Sequence, residues 1–356
     1  MEPIVVDGSI GEGGGQILRT TLALSALLKK PVKIINIRVK RSNPGLQRQH
    51  LTAVKAVATL TNAIVRGAEL RSTVLYFEPR ELRAGRYSFD IGTAGSISLV
   101  LQTLMPILTF MPRKTVVEIR GGTDVPWSPP IDYVINVKVP ILRKLGLDFK
   151  IELLRRGHYP RGGGLVRITV EEPPREVRPL SLVSRGKVLA IKGRSHCVRL
   201  PPHVAKRQAD SARHTLVRYG VDVPIDIELE YYDPRRDPHL GPGSGIVLWA
   251  ITENSILGGD ALGARGKRAE DVGKEAAEEL ISELQCGSAL DRYMGDMIIP
   301  YLALAKGVSE VTASKLTMHA YTNIEITRKL TGAEIIIDGT LKQPFRAKVK
   351  GIGYIT

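Results

Sequence analysis

Residues 7–19 read D-G-S-I-G-E-G-G-G-Q-I-L-R, a glycine loop between a short apolar run at 4–6 and a helix-forming stretch that continues to Leu28. Gly11, Gly13, Gly14 and Gly15 let backbone N–H groups approach an anion where the helix dipole favours negative charge. A related phrase, I-G-T-A-G-S-I-S-L-V-L-Q-T-L, starts at Ile91 and again uses glycine to turn a strand into an apolar helix. A third version, C-G-S-A-L, starts at Cys286 and precedes another apolar helical stretch. No lysine follows the first loop, so it is not a Walker A loop. It holds one carboxylate, Glu12, with Arg19 further into the helix. A carboxylate among phosphate-binding amides suggests a metal ion between two anions; the competing reading is a glycine turn that serves chain geometry alone.

The first two copies each predict strand, helix, strand, helix and two paired strands, and the third repeats the order from its first helix onward. In the first copy these are strand 4–6, helix 16–28, strand 32–39, helix 46–61 and strands 63–70 and 73–78. In the second they are strand 86–91, helix 96–110, strand 115–120, helix 131–145 and strands 148–155 and 164–171. The third is expected as helix 294–306, strand 310–313, helix 318–329 and strands 333–338 and 345–350. A period of about 80 residues indicates stacked α/β units rather than a solenoid, whose repeats are shorter. Between the second and third copies the pattern changes to a self-contained α/β element of about a hundred residues. The expected fold class is therefore α/β (α+β). Three βαβαββ-like repeats (about 1–80, 81–175 and 286–356) form a large domain from 1–184 and 286–356, and 185–285 is a smaller inserted α/β domain.

The 356 residues carry 51 basic against 36 acidic side chains, a formal charge of +15 that favours a polyanionic partner. Only 5% are aromatic, so phosphate and sugar contacts should outweigh an extended base-stacking platform. A hydrophobic fraction of 43% and a mean hydropathy of −0.03 exclude a disordered chain. Cys197 and Cys286 are the only cysteines and form no C-x-x-C, which fits a reducing, cytoplasmic setting. No signal peptide is evident at the N-terminus. Residues 91–111 lack any charge, but their serines, threonines, Gln102 and Pro106 indicate a buried helix instead of a membrane span.

Arg38, Lys40 and Arg41 leave a strand, N-P-G turns the chain at Asn43, and Arg48, Gln49 and His50 open a helix. Guanidinium forks beside a helix N-terminus suit a terminal phosphate; the competing reading is a solvated basic turn. The seven histidines include no H-x-x-x-H or H-x-H, which argues against zinc. His203 and His214 are expected on a helix surface. His319 lies where a strand turns into a helix in L-T-M-H-A-Y-T-N, with Thr317 a candidate N-cap. There the helix dipole disfavours the imidazolium and keeps the ring nucleophilic; the alternative is a capping or packing histidine.

These residues, taken together, resemble the RNA 3′-terminal phosphate cyclases. The likeness is carried by G-E-G-G-G-Q-I-L-R at Gly11, R-S-N-P-G-L-Q-R-Q-H-L-T-A-V at Arg41, G-T-A-G-S at Gly92 and L-V-L-Q-T at Leu99. G-G-T-D-V-P-W-S-P-P at Gly121, H-Y-P-R-G-G-G at His158, Y-M-G-D at Tyr293 and M-H-A-Y-T-N at Met318 extend it nearly end to end. The resemblance implies ATP-dependent conversion of an RNA 3′-phosphate to a 2′,3′-cyclic phosphate through histidine–AMP and RNA-(3′)pp(5′)A. It makes His319 the nucleophile and Glu12 the contact for a divalent metal, magnesium or manganese. It gives phosphate handling to Arg19, Arg38, Arg41, Gln49 and His50. Gln102, Pro129, Pro130, Tyr293, Met294, Gly295, Asp296 and Met297 would surround the nucleotide, with Tyr293 and one of the two prolines flanking adenine. The partner is RNA with a 3′-terminal phosphate; no membrane role is expected, and neither the oligomeric state nor a role for the insert follows. Two other classes remain. One is a non-catalytic cyclase-like protein of ribosome assembly, which would lack the histidine. The other is an enolpyruvyl transferase, which shares the repeat architecture and needs no ATP.

Overall fold

The computed structural model describes residues 2–174 and 176–355. The apolar run at the N-terminus forms strand Ile4–Asp7, followed by helix Gly15–Leu28, strand Val32–Ile35, helix Arg48–Thr61 and strands Ile64–Arg66 and Leu75–Glu78. Their sheet runs first, second, fourth, third strand, with the first two parallel (Ile4 opposite Val32). The second strand was expected to reach residue 39. It stops at Ile35, because Asn36 and Arg38 take left-handed φ of 54° and 55°, which no strand accommodates.

Residues 86–170 repeat this plan with strand Arg86–Asp90, helix Ile97–Leu108, strand Thr115–Gly121, a second helix and strands Lys150–Arg155 and Gly164–Val170. That second helix, predicted as one piece, is α-helical at Ile131–Tyr133, a π-helix at Val134–Lys138 and α-helical again at Val139–Lys144. Pro140, without an N–H, stands at the start of its last segment.

The third sheet has the same strand order, but its first strand is Ser181–Leu182, parallel to Val308–Ala313. The third copy was expected to start at Cys286; its sheet begins before the inserted element, which therefore interrupts the unit after its first strand. The helix expected over 294–306 is two, Arg292–Met297 and Ile299–Leu304, with Pro300 in the first turn of the latter. Helix Met318–Thr331 and strands Glu334–Gly339 and Phe345–Lys350 complete the unit.

Helix Gly15–Leu28 is buried from Gln16 to Leu27 and packs against helices Ile97–Leu108 and Met318–Thr331, so the three units share one apolar core. The inserted element keeps its own core, with helices His203–Arg218 and Ala269–Cys286 on a four-stranded sheet. Gly273 lets those helices approach closely, since a side chain there would run into the Gln208 carbonyl. No described helix is long and apolar enough to cross a membrane.

Candidate active site

Gly11 and Gly13 adopt φ of 58° and 59°, folding the loop back on itself ahead of helix Gly15–Leu28, whose N-cap Gly14 offers no side-chain cap. Glu12 stands out from this loop. Its Oε2 accepts from Arg41 Nη2 at 3.0 Å and lies 3.2 Å from His319 Nε2, all three side chains being about half exposed. His319 sits in the first turn of helix Met318–Thr331, which Thr317 caps by accepting from Ala320 N at 3.0 Å. The two ends of the chain thus meet at one carboxylate.

Arg19 lies just inside. It is 7% exposed and, among the described residues, donates only to neutral groups, to Gln102 Oε1 at 3.1 Å and Gln16 Oε1 at 2.8 Å. Burial lowers its pKa to about 10, with Asp296 acting in the other direction. His50 is pressed down to about 3 by burial and by Arg19 and Arg38, so it is a neutral ring. Its Nδ1 accepts from Gln47 N at 3.2 Å and closes the start of its helix. Gln49 Oε1 accepts from Ser96 N at 2.9 Å, tying the first unit to the glycine turn of the second. Arg38 donates to the carbonyls of Asn43 and Gly45 within its own turn.

A cleft of about 350 Å³ opens beside these groups. The first two units supply Gln16, Arg19, Leu99 and Gln102, the loop after strand Thr115–Gly121 supplies Val125, Trp127, Ser128 and Pro129, and the third unit supplies Arg292, Tyr293, Asp296, Met297, Thr317 and His319. Of the expected nucleotide group, Met294 and Gly295 do not line the cleft: Met294 is fully buried and Gly295 backs onto Ala313. Pro129 lines it, while Pro130 is buried at the start of the following helix. Arg41 and His50 adjoin the glycine loop at Gly14 and Gly15, Arg38 and Gln49 do not, and none of the four lines the cleft. A similar volume, about 400 Å³, around Lys144 and Ser181 holds no comparable set of charged groups.

Asp296 is buried and its Oδ1 has no hydrogen-bond partner among the described residues; burial raises its pKa, with His319 and Arg19 opposing. An orphaned acceptor in a cleft wall suits a hydroxyl donor on a ligand. Tyr293 is set by Asp291, which caps its helix by accepting from Tyr293 N and Met294 N and takes the Tyr133 hydroxyl at 2.6 Å.

Several cleft residues escaped the sequence reading. Asp260 and Leu262 come from strand Ile256–Leu262 of the inserted element, so the insert forms part of the wall. Asp260 Oδ1 is buried and unpartnered, and burial, then Glu279, raises its pKa well above the ordinary value. One carboxylate inside the apolar run I-L-G-G-D-A-L was the available signal. Lys138, in the π-helical turn, is buried and brought down to about 7 by that burial.

A second cluster joins the insert to the second unit. Asp124, His158 and His196, all buried, place ligand-type atoms within 4.8 Å of one another, and the two Nε2 atoms are 3.0 Å apart. Local spacing could not show this, since the three residues come from three different segments. Asp124 is already engaged by Thr123 and by Arg156, whose guanidinium opposes a metal ion there. Arg156 also donates to Asp132 at 2.7 Å and to Glu230 of the insert at 2.6 Å, making this a charge-paired joint.

The family profile for RNA 3′-terminal phosphate cyclase matches residues 10–337. A protein of Hyperthermus butylicus named RNA 3′-terminal phosphate cyclase is 61% identical over 354 residues, covering 99% of both chains. Proteins of the same name from Ignicoccus hospitalis and Staphylothermus marinus are 56% and 55% identical, covering 98% and 99% of this chain and 99% of each of theirs.

Proposed function

The chain belongs to the RNA 3′-terminal phosphate cyclase family, and on that premise we propose that it closes an RNA 3′-phosphate into a 2′,3′-cyclic phosphate at the expense of ATP. The observation that carries the mechanism is His319, half exposed at a capped helix start, on the wall of a cleft that also presents an unpaired arginine. In the first step Nε2 attacks the α-phosphorus of ATP, a P–N bond forms, the bond to the β-phosphate oxygen breaks and pyrophosphate leaves. In the second, an oxygen of the RNA 3′-phosphate displaces the imidazole, giving RNA-(3′)pp(5′)A. In the third, the vicinal 2′-hydroxyl attacks the RNA phosphorus, its proton is lost and AMP leaves. Adenylylation supplies the leaving group that a phosphomonoester lacks.

Each residue has a part consistent with its position. Arg19, charged and bonded only to amide oxygens, meets the phosphate charge that builds during transfer. Asp296 accepts from a ribose hydroxyl, and Tyr293 and Pro129 flank the base. Attack needs the lone pair of Nε2, so Glu12 must release that nitrogen before the bond forms. Glu12, exposed and able to exchange its Arg41 contact for an ion as the buried Asp124 is not, would suit a hard divalent cation, because such ions take one or two carboxylates and complete their shell with substrate phosphates. When bound, the ion would neutralise the triphosphate.

Incubation with α-labelled ATP should leave acid-labile label on the protein, and His319→Ala should abolish both label and cyclisation while thermal unfolding is unchanged. Cyclisation at the normal rate by His319→Ala would overturn the mechanism.

A further inference from the structure

Trp127 is 98% exposed, far beyond any other large hydrophobic side chain of the described residues. Its backbone is left-handed, with φ of 62°, a conformation that glycine or asparagine adopts at lower energy than tryptophan. Local folding therefore gains nothing from an indole at this position, and its apolar area is left in water. The loop that carries it is nonetheless well held. Ile131 N donates to Thr123 O at 3.0 Å, Ser128 Oγ donates to Val125 O at 3.0 Å, and Val125 is buried. The indole is thus presented from an anchored turn, and it lines the same cleft as His319.

We infer that Trp127 is a stacking site for the terminal nucleobase of the incoming RNA strand. The inference rests on the cyclase reading above and adds to it where the strand end is held. An aromatic face takes any base, because stacking requires a π-surface and no particular hydrogen-bond pattern. That matches a substrate defined by its terminal phosphate. The position favours the RNA over the ATP: a nucleotide enclosed by the cleft is gripped from within, whereas a strand end arrives from solvent and meets the fully exposed rim first. A single rim aromatic also accords with a chain too poor in aromatic residues to build an extended platform.

The test uses Trp127→Asn, which removes the ring while keeping a residue suited to the left-handed backbone, so folding is not at risk. Cyclisation is measured against a 3′-phosphorylated oligoribonucleotide and against the same strand with an abasic 3′-terminal nucleotide. Self-adenylylation with ATP alone is measured in parallel. The variant should need about five- to a hundredfold more RNA for half-saturation, the range for losing one stacked base, without a comparable shift in ATP. The abasic end should weaken the native protein by a similar factor and leave the variant nearly unaffected. Trp127 and Trp249 are the only tryptophans and Trp249 is 8% exposed, so RNA should quench a fluorescence component that the variant lacks. An unchanged RNA requirement, equal sensitivity of both proteins to the abasic end, or a shift confined to ATP would overturn the inference. If the native protein never labels itself, the histidine mechanism fails, while the fluorescence arm still decides whether Trp127 meets RNA.

Discussion

Arg19 and Arg156 are both buried arginines, at 7% and 1% exposure, yet they have opposite surroundings. Arg156 meets Asp124, Asp132 and Glu230. Burial works against its charge, but those carboxylates raise its pKa well above the ordinary value. Arg19 forms no ion pair among the described residues, bonds to two glutamine oxygens, and its pKa falls to about 10. The first arginine has its anions built in and joins two parts of the fold. The second retains a charge that Asp296 offsets only from a distance, with no ion-pair contact among the described residues, which suits a site for an incoming phosphate.

The comparison can be broken most forcefully at Arg156. Arg156→Met leaves buried carboxylates without their cation and should destabilise the fold by about 3–5 kcal/mol in denaturant unfolding. A loss under about 1 kcal/mol would show that the cluster is not a charge-paired joint. Arg19→Met should do the reverse. Cyclisation should fall by about 10²–10³, the scale for one lost transition-state donor, while stability holds or rises because an unpaired buried charge is gone. A variant that unfolds without losing activity per folded molecule would cancel the contrast.

Glu230→Gln sharpens it more finely. Burial acts to raise the Glu230 pKa, but the Arg156 hydrogen bond and charge bring it from an ordinary 4.5 to about 2. A carboxylate with a depressed folded pKa stabilises fully above its unfolded pKa and loses that contribution as pH falls through the folded one. The stability gap between native protein and variant should therefore be complete above about pH 4.5, shrink below it and close near pH 2. Thermal unfolding across that window checks this, and a gap independent of pH would refute it.

The repeat plan was legible because each glycine turn and apolar helix is a local pattern, and Thr317 ahead of His319 followed from capping alone. The first strand of the third unit was not. Ser181–Leu182 has two residues, too few for any period, and the insert separates it from its partners. Asp260, Lys138 and Trp127 also went unremarked as cleft or near-cleft residues, since nothing in their neighbours' identities marks a wall formed between elements.

The amino-acid sequence alone determined the kinds of element and their repetition, because glycine conformations, capping and apolar periodicity act over a few residues. Only the tertiary structure decided which charges are neutralised. Glu12 meets His319 from the far end of the chain, Arg156 meets Glu230 across the joint with the insert, and Arg19 has no ion-pair partner among the described residues. Electrostatic energy depends on distance and burial in three dimensions, and neither can be read from position along the chain.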